Sequence, residues 1–287
     1  MSGEPRPMYW SVRRELWENR SLYIAPLIVA GVVLFGFAVS TIGMPARRRA
    51  LLLLDPAQQR VRVAVPYDAA AIVLIATVFV VGVFYCLDAL YGERRDRSIL
   101  FWKSLPVSDR TTVLAKASVP LVVLPVITFP IIVITQFLML LFTTAVLLPS
   151  GLAATTWTRF NLIEQSIILL YGLITLMLWH APIYGWLLLV SAWAKRSAFL
   201  WAALPFVAVS IFERIAFGTA YFSPMLRRRF LGHMATAFAV KPKEMINSLA
   251  QLTPGRFLGA PGLWIGLIFA ALFLAAAVKL RHNREPI

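Results

Sequence analysis

His180 stands in the apolar run 165–194, in the stretch WHAPIYGW. Ionisable side chains inside a membrane span cost roughly 2.5–3.5 kcal/mol on insertion scales, so such a residue is a functional candidate by default. Imidazole can pass a proton near neutral pH. With Asp88, at the end of the second apolar run, or Glu213, at the end of the fifth, it would form an intramembrane acid–base pair. The alternative is structural: a neutral His180 bonds a carbonyl freed by the nearby Pro182. Glu213 and Arg214 together would line an outer gate of a pathway, or simply reach the headgroups. No other catalytic signature is present. G-x-x-x-x-G-K-[ST], H-E-x-x-H, C-x-x-C and G-x-S-x-G are all missing, which removes a P-loop ATPase and weakens metalloprotease, redox and serine hydrolase readings. The single cysteine, Cys86, lies in an apolar run, so no disulfide framework within the chain and no cysteine-based zinc site is expected.

The setting of these residues is a membrane. Of 287 residues 60% are hydrophobic and only 14% charged, and the mean hydropathy is +0.76. A soluble domain carries roughly a quarter charged residues. The net charge of +15 sits in short turns between apolar runs, a placement suited to anionic lipid headgroups and not to nucleic acid.

Six runs have the length and apolarity of spans: 22–41, 69–90, 117–148, 165–194, 197–217 and 263–280. The expected fold is therefore an all-α membrane protein, a single transmembrane domain over 1–287. The third run carries Pro120, Pro125 and Pro130 and should bend. The first apolar run is followed by GMPARRR instead of a small-residue cleavage pattern, so it reads as an uncleaved span. Six crossings leave both termini on one side. The turn after Trp193 is Ala-Lys-Arg-Ser, whereas 149–164 holds only Arg159 as a basic residue. That short-loop bias puts the termini in the cytoplasm.

Three segments outside the spans have character of their own. In 8–19, MYWSVRRELWEN, Tyr9, Val12 and Leu16 form a stripe with Trp10 and Trp17 beside it, the pattern of an amphipathic interfacial helix. In 43–68, ARRRALLLLDP suggests a short helix and the alternating VRVAV a short strand. The segment 221–262 contains MLRRRF and AVKPKEMINSLAQLTPGRF; it is too polar to cross and apolar enough to lie at the interface as a re-entrant cap or an ordinary loop. Gly262-x-x-x-Gly266 would permit close helix packing.

The remaining segment, 91–106, reads YGERRDRSILFWKSLP. Glu93 to Arg97 are all charged, Ser98 can cap a helix, and Ile99, Leu100, Phe101, Trp102 and Leu105 supply a compact apolar face before Pro106 ends it. A cluster of that kind, fixed between two spans, matches a helix that fills a groove on a soluble partner. The run from Tyr91 to Lys116, with its acidic-basic stretch, apolar helix, Leu-Pro-x-Ser turn and a Lys before the next span, resembles the cytoplasmic segment of ABC transporter permease subunits of the second exporter class. The resemblance implies that 91–110 is a coupling segment docking on a separate ATP-binding subunit through Ile99, Leu100, Phe101, Trp102 and Leu105, with Glu93, Arg94 and Arg97 anchoring its hinge. It implies two such ATP-binding subunits, which hold ATP and Mg, and a second permease copy or paralogue. It implies a multi-pass protein of the bacterial cell (inner) membrane in contact with lipids, with no catalytic residue, metal or cofactor on this chain. One departure stands out: Arg97 occupies a place where the family often has glycine. Beside the transporter stand two other readings, the intramembrane enzyme built on His180 and a membrane scaffold that docks some other cytosolic protein.

Overall fold

Asp55 and Pro56 set the start of the longest helix. The Asp55 carboxylate accepts the N–H of Ala57 at 3.0 Å, and Pro56 occupies the first helical position, where its missing donor costs nothing. From there Pro56–Ala89 runs as one helix of 34 residues. This corrects the expected strand: VRVAV is helical. Its alternation of Val with Arg and Ala is overridden because Val63, Ala64, Tyr67 and Ala70 bury at helical spacing.

The computed structural model describes residues 7–99, 101, 107–239, 246 and 248–283. In chain order the helices are α1 (Pro7–Glu18), α2 (Ser21–Ser40), α3 (Met44–Leu51), α4 (Pro56–Ala89), α5 (Tyr91–Arg95), α6 (Asp109–Ser118), α7 (Leu124–Leu147), α8 (Ala154–Trp157), α9 (Leu162–Trp193), α10 (Ala198–Phe217), α11 (Phe222–Leu231), α12 (His233–Ala237), α13 (Pro254–Leu258) and α14 (Pro261–Asn283). No strand occurs among the described residues; Phe238 and Leu252 share an isolated antiparallel bridge. Six helical segments are long and apolar enough to cross a membrane.

The third of these is interrupted where its prolines fall. Between α6 and α7, Val119–Val123 forms a π turn that contains Pro120 and ends just before Pro125, since neither proline can donate to the preceding turn. Pro130 in α7 and Pro182 in α9 are carried inside otherwise continuous helices.

α4, α7 and α9 form the middle of the bundle, with α2 against α4 and α7 and α14 along α9. The core shared by α4, α9 and the π turn includes Tyr85, Cys86, Val119, Leu124, Tyr184 and Leu188. Gly185 lets α14 approach closely; a Cβ there would meet the Ala270 backbone at 3.3 Å. α10 is peripheral, burying only Ala198 and Ala202.

α9 and α14 are staggered. Trp179, past the middle of α9, packs on Gly262 at the start of α14. The first half of α9 therefore extends beyond α14, and the described residues of 221–262 fold back over it. The Tyr171 hydroxyl donates to Ala237 O at 3.0 Å, and the Leu249 N–H donates to Glu164 at 3.2 Å. Within this cap Arg229 lies over the Trp179 ring, 4.9 Å from its centroid, and donates to Gly262 O at 2.9 Å. A Cβ on Gly266 would collide with the Arg229 guanidinium. The Gly262–Gly266 pair thus seats an arginine and a tryptophan in addition to permitting helix contact.

Gly266→Leu is expected to cost about 1–3 kcal/mol through overpacking against Arg229. Combining it with Arg229→Ala should recover most of that loss. Thermal unfolding of the four forms in detergent checks this; strictly additive effects would show that the two positions do not touch.

Candidate functional site

Lys116 lies on the buried face of α6, with Thr112, Val113 and Ala117. The helix is started by Ser108, whose hydroxyl accepts the Thr111 N–H at 3.1 Å. Only 3% of the Lys116 side chain is exposed, so its charge needs partners within the protein. It has two: Glu15 at 2.9 Å and Glu93 at 3.1 Å. Glu15 comes from α1, where it and Ser11 are the buried positions, one turn apart. Glu93 comes from α5.

The cluster spreads from this centre. Glu15 also accepts from Arg14 at 2.9 Å and from the Tyr85 hydroxyl of α4 at 2.7 Å. The second oxygen of Glu93 pairs with Arg281 of α14 at 3.3 Å, and Arg281 also pairs with Asp109 at the start of α6. Arg14, Lys116 and Arg281 thus meet Glu15, Glu93 and Asp109, three positive charges against three negative. Burial pushes the Glu15 carboxyl up, but the charge and hydrogen bond of Lys116, with the bonds from Arg14 and Tyr85, outweigh it. The carboxyl therefore ends below its ordinary value of 4.5.

α5 is fastened to α9 as well. Ser191 accepts the N–H groups of Leu90 and Tyr91 at 3.0 and 2.8 Å. Arg94 donates to the carbonyls of Ala192 and of Ala194, the latter at 3.0 Å, a cation at the carbonyl end of a helix. Arg97 adopts φ of +58°, the left-handed conformation that glycine takes most easily. Beyond it Ile99 is buried and Phe101 is exposed; Leu100, Trp102 and Leu105 lie outside the described residues.

α1 presents its other side outward. Arg13 sits over the rings of both Trp10 and Trp17, 5.3 and 4.5 Å from their centroids, and both tryptophans are exposed. That is the arrangement of a helix lying in a headgroup layer with its tryptophans toward lipid.

The other candidates are not joined to one another. His180 bonds Phe230 O of the cap at 3.0 Å, and its ring meets Phe79 and His233 at 5.3 and 5.7 Å. Asp88 is exposed and 3.8 Å from Arg95. The Glu213 carboxylate closes the turn from α10 to α11, accepting the N–H groups of Tyr221 and Phe222 at 2.6 and 2.9 Å and the Thr219 hydroxyl at 3.0 Å. Arg214 is exposed in the last turn of α10. No hydrogen bond or ion pair links His180 with Asp88 or Glu213 among the described residues. No group of three or more His, Cys, Asp or Glu there could hold a metal ion.

Fold and site together define an all-α, multi-pass membrane protein whose terminal-side ends are tied by one buried ionic cluster. Comparison with protein-family models, curated proteins and solved structures finds no match for the chain.

Two measurements probe the cluster. Lys116→Met should destabilise the protein by about 3–5 kcal/mol, because it leaves buried carboxylates uncompensated; adding Glu15→Gln should return part of that loss. The second is pH. A carboxyl lowered by folding contributes stability above its unfolded pKa and loses it as pH falls through the folded one. The protein should therefore lose stability as acid is added from about the ordinary carboxylate range downward, and Glu15→Gln should flatten that slope in pH-dependent thermal unfolding. Arg97→Gly should be neutral or stabilising by up to about 1 kcal/mol, and Arg97→Val destabilising.

Proposed function

We propose that this chain is the membrane-spanning subunit of an ATP-driven ABC exporter of the second exporter class. It works with two ATP-binding subunits, which hold ATP and Mg, and with a second permease copy or a paralogue. In this reading it lies in a bacterial cell (inner) membrane with both termini in the cytoplasm, and it carries no ATPase site.

The observation that carries the reading is the fastening of 91–110. Its beginning, Tyr91–Arg95, is bound through Glu93 to Lys116 and Arg281, and through Arg94 to the end of α9. Its end is bound through Asp109 to Arg281. A displacement of the apolar face between them is delivered to α1, α6, α9 and α14 at once. That is what a rigid-body coupling of ATP-driven closure to alternating access requires. The left-handed Arg97 supports the family's hinge shape. The exposed α10, apolar on nearly all sides, supports contact with lipid or a second permease.

The test is recovery of partners from cells that express the protein at native level. Wild type should bring down a P-loop ATPase, and Phe101→Asp/Trp102→Asp should lose it while keeping its unfolding midpoint. Equal recovery from both forms, or no ATPase with either, would sink the reading.

A further inference from the structure

The segment between α2 and α4, set apart in the sequence by ARRRALLLLDP and VRVAV, takes no part in the terminal-side cluster. Gly43, left-handed at φ of +71°, turns the chain so that α3 doubles back beside the end of α2. Arg47 is anchored there by donating to the carbonyls of Ser40 and Ile42, the latter at 2.7 Å. The neighbouring Arg48 points inward, 7% exposed, and donates from Nη2 to Thr156 at 3.1 Å. Its Nη1 is buried without a partner among the described residues. Arg62 of α4 completes the group.

These three arginines line one pocket of about 130 Å³, together with Tyr67 and Thr143. The two hydroxyls lie 3.2 Å apart. Among the described residues, no carboxylate forms an ion pair with any of the three. A guanidinium keeps its charge when buried. Arg48 is buried while Arg47 and Arg62 are exposed at the mouth, so three positive charges gather at one small space, and their paired N–H donors match the oxygens of a phosphate. The contrast with Lys116 and Arg281 on the terminal side is direct, since each of those two buried cations faces carboxylates of the chain itself.

We propose that this pocket binds a phosphate group, supplied by an anionic lipid headgroup or by an anion in solution. Arg48 is the buried contact, and Arg47 and Arg62 close on the phosphate from the rim. The position on the side of the chain away from the termini, beside the apolar residues Phe37 and Met44, suits the head of an amphiphile whose tails lie along the bundle. The proposal does not rest on the transport reading and would survive its failure.

The full chain in detergent is titrated while its unfolding midpoint is followed. The probes are phosphatidylglycerol in mixed micelles, with diacylglycerol as the phosphate-free control, and inorganic phosphate against chloride at equal ionic strength. Phosphatidylglycerol should raise the midpoint, and Arg62→Gln should shift the half-effect concentration about fivefold, the equivalent of one basic contact. Arg49→Gln removes the same charge from an exposed residue outside the pocket and should leave it unchanged; both variants spare the buried Arg48, so folding is preserved. Stabilisation by phosphatidylglycerol alone identifies a lipid headgroup, and stabilisation by inorganic phosphate as well identifies a site open to dissolved anions. The proposal is overturned if nothing stabilises, if diacylglycerol does as well as phosphatidylglycerol, or if the two variants shift the titration equally.

Discussion

A lysine ammonium buried in a membrane protein dictates more of this structure than any apolar contact does. Lys116 can stay charged only if carboxylates are brought to it, and the chain brings them from α1 and α5. Glu93 in turn requires Arg281 from α14, and Arg281 requires Asp109. Breaking any one of these pairs strands a charge out of water. The elements that contribute them therefore share one position or move to another as a unit.

The two sides of the bundle handle charge differently. On the side of the termini, Arg14, Lys116 and Arg281 are matched with carboxylates within the protein, and Arg94 caps helix carbonyls. On the other side the arginines lean on carbonyls, hydroxyls and a tryptophan face. The terminal-side cluster sums to zero, so the net charge of +15 is carried by the other basic residues, some of them held in places where a negative group from elsewhere fits.

The apolar runs gave away the six crossing helices because twenty apolar residues have few other uses. Their lengths were less legible. α4 begins well upstream of its apolar run, since Asp55 and Pro56 cap a helix that polar residues can continue outside the lipid. VRVAV misled because alternation over five residues cannot outweigh a helix already under way. Glu15 was legible in principle: a carboxylate beside Val12 and Leu16 on an amphipathic helix implies a cation opposite. What no local pattern revealed was that the cation is Lys116, 101 residues away. Gly262 and Gly266 were visible as small residues, but a spacing of four does not say whether a helix or an arginine fills the notch. Of the residues singled out for acid–base chemistry, His180 and Glu213 found backbone partners, which sequence spacing cannot distinguish from partners in catalysis.

α9 is held at both ends. Ser191 and the last carbonyls are gripped by α5 and Arg94, while Glu164, Tyr171 and His180 are gripped by the cap. Between those grips the helix is unbroken through Pro182. A rod of 32 residues is about 48 Å long at 1.5 Å per residue, so a tilt of about 5° at one end carries the other sideways by roughly 4 Å. The helix is thus a stiff rod with α5 and Arg94 at one end and the cap on the other, so neither can shift without the rod being carried along or a grip released.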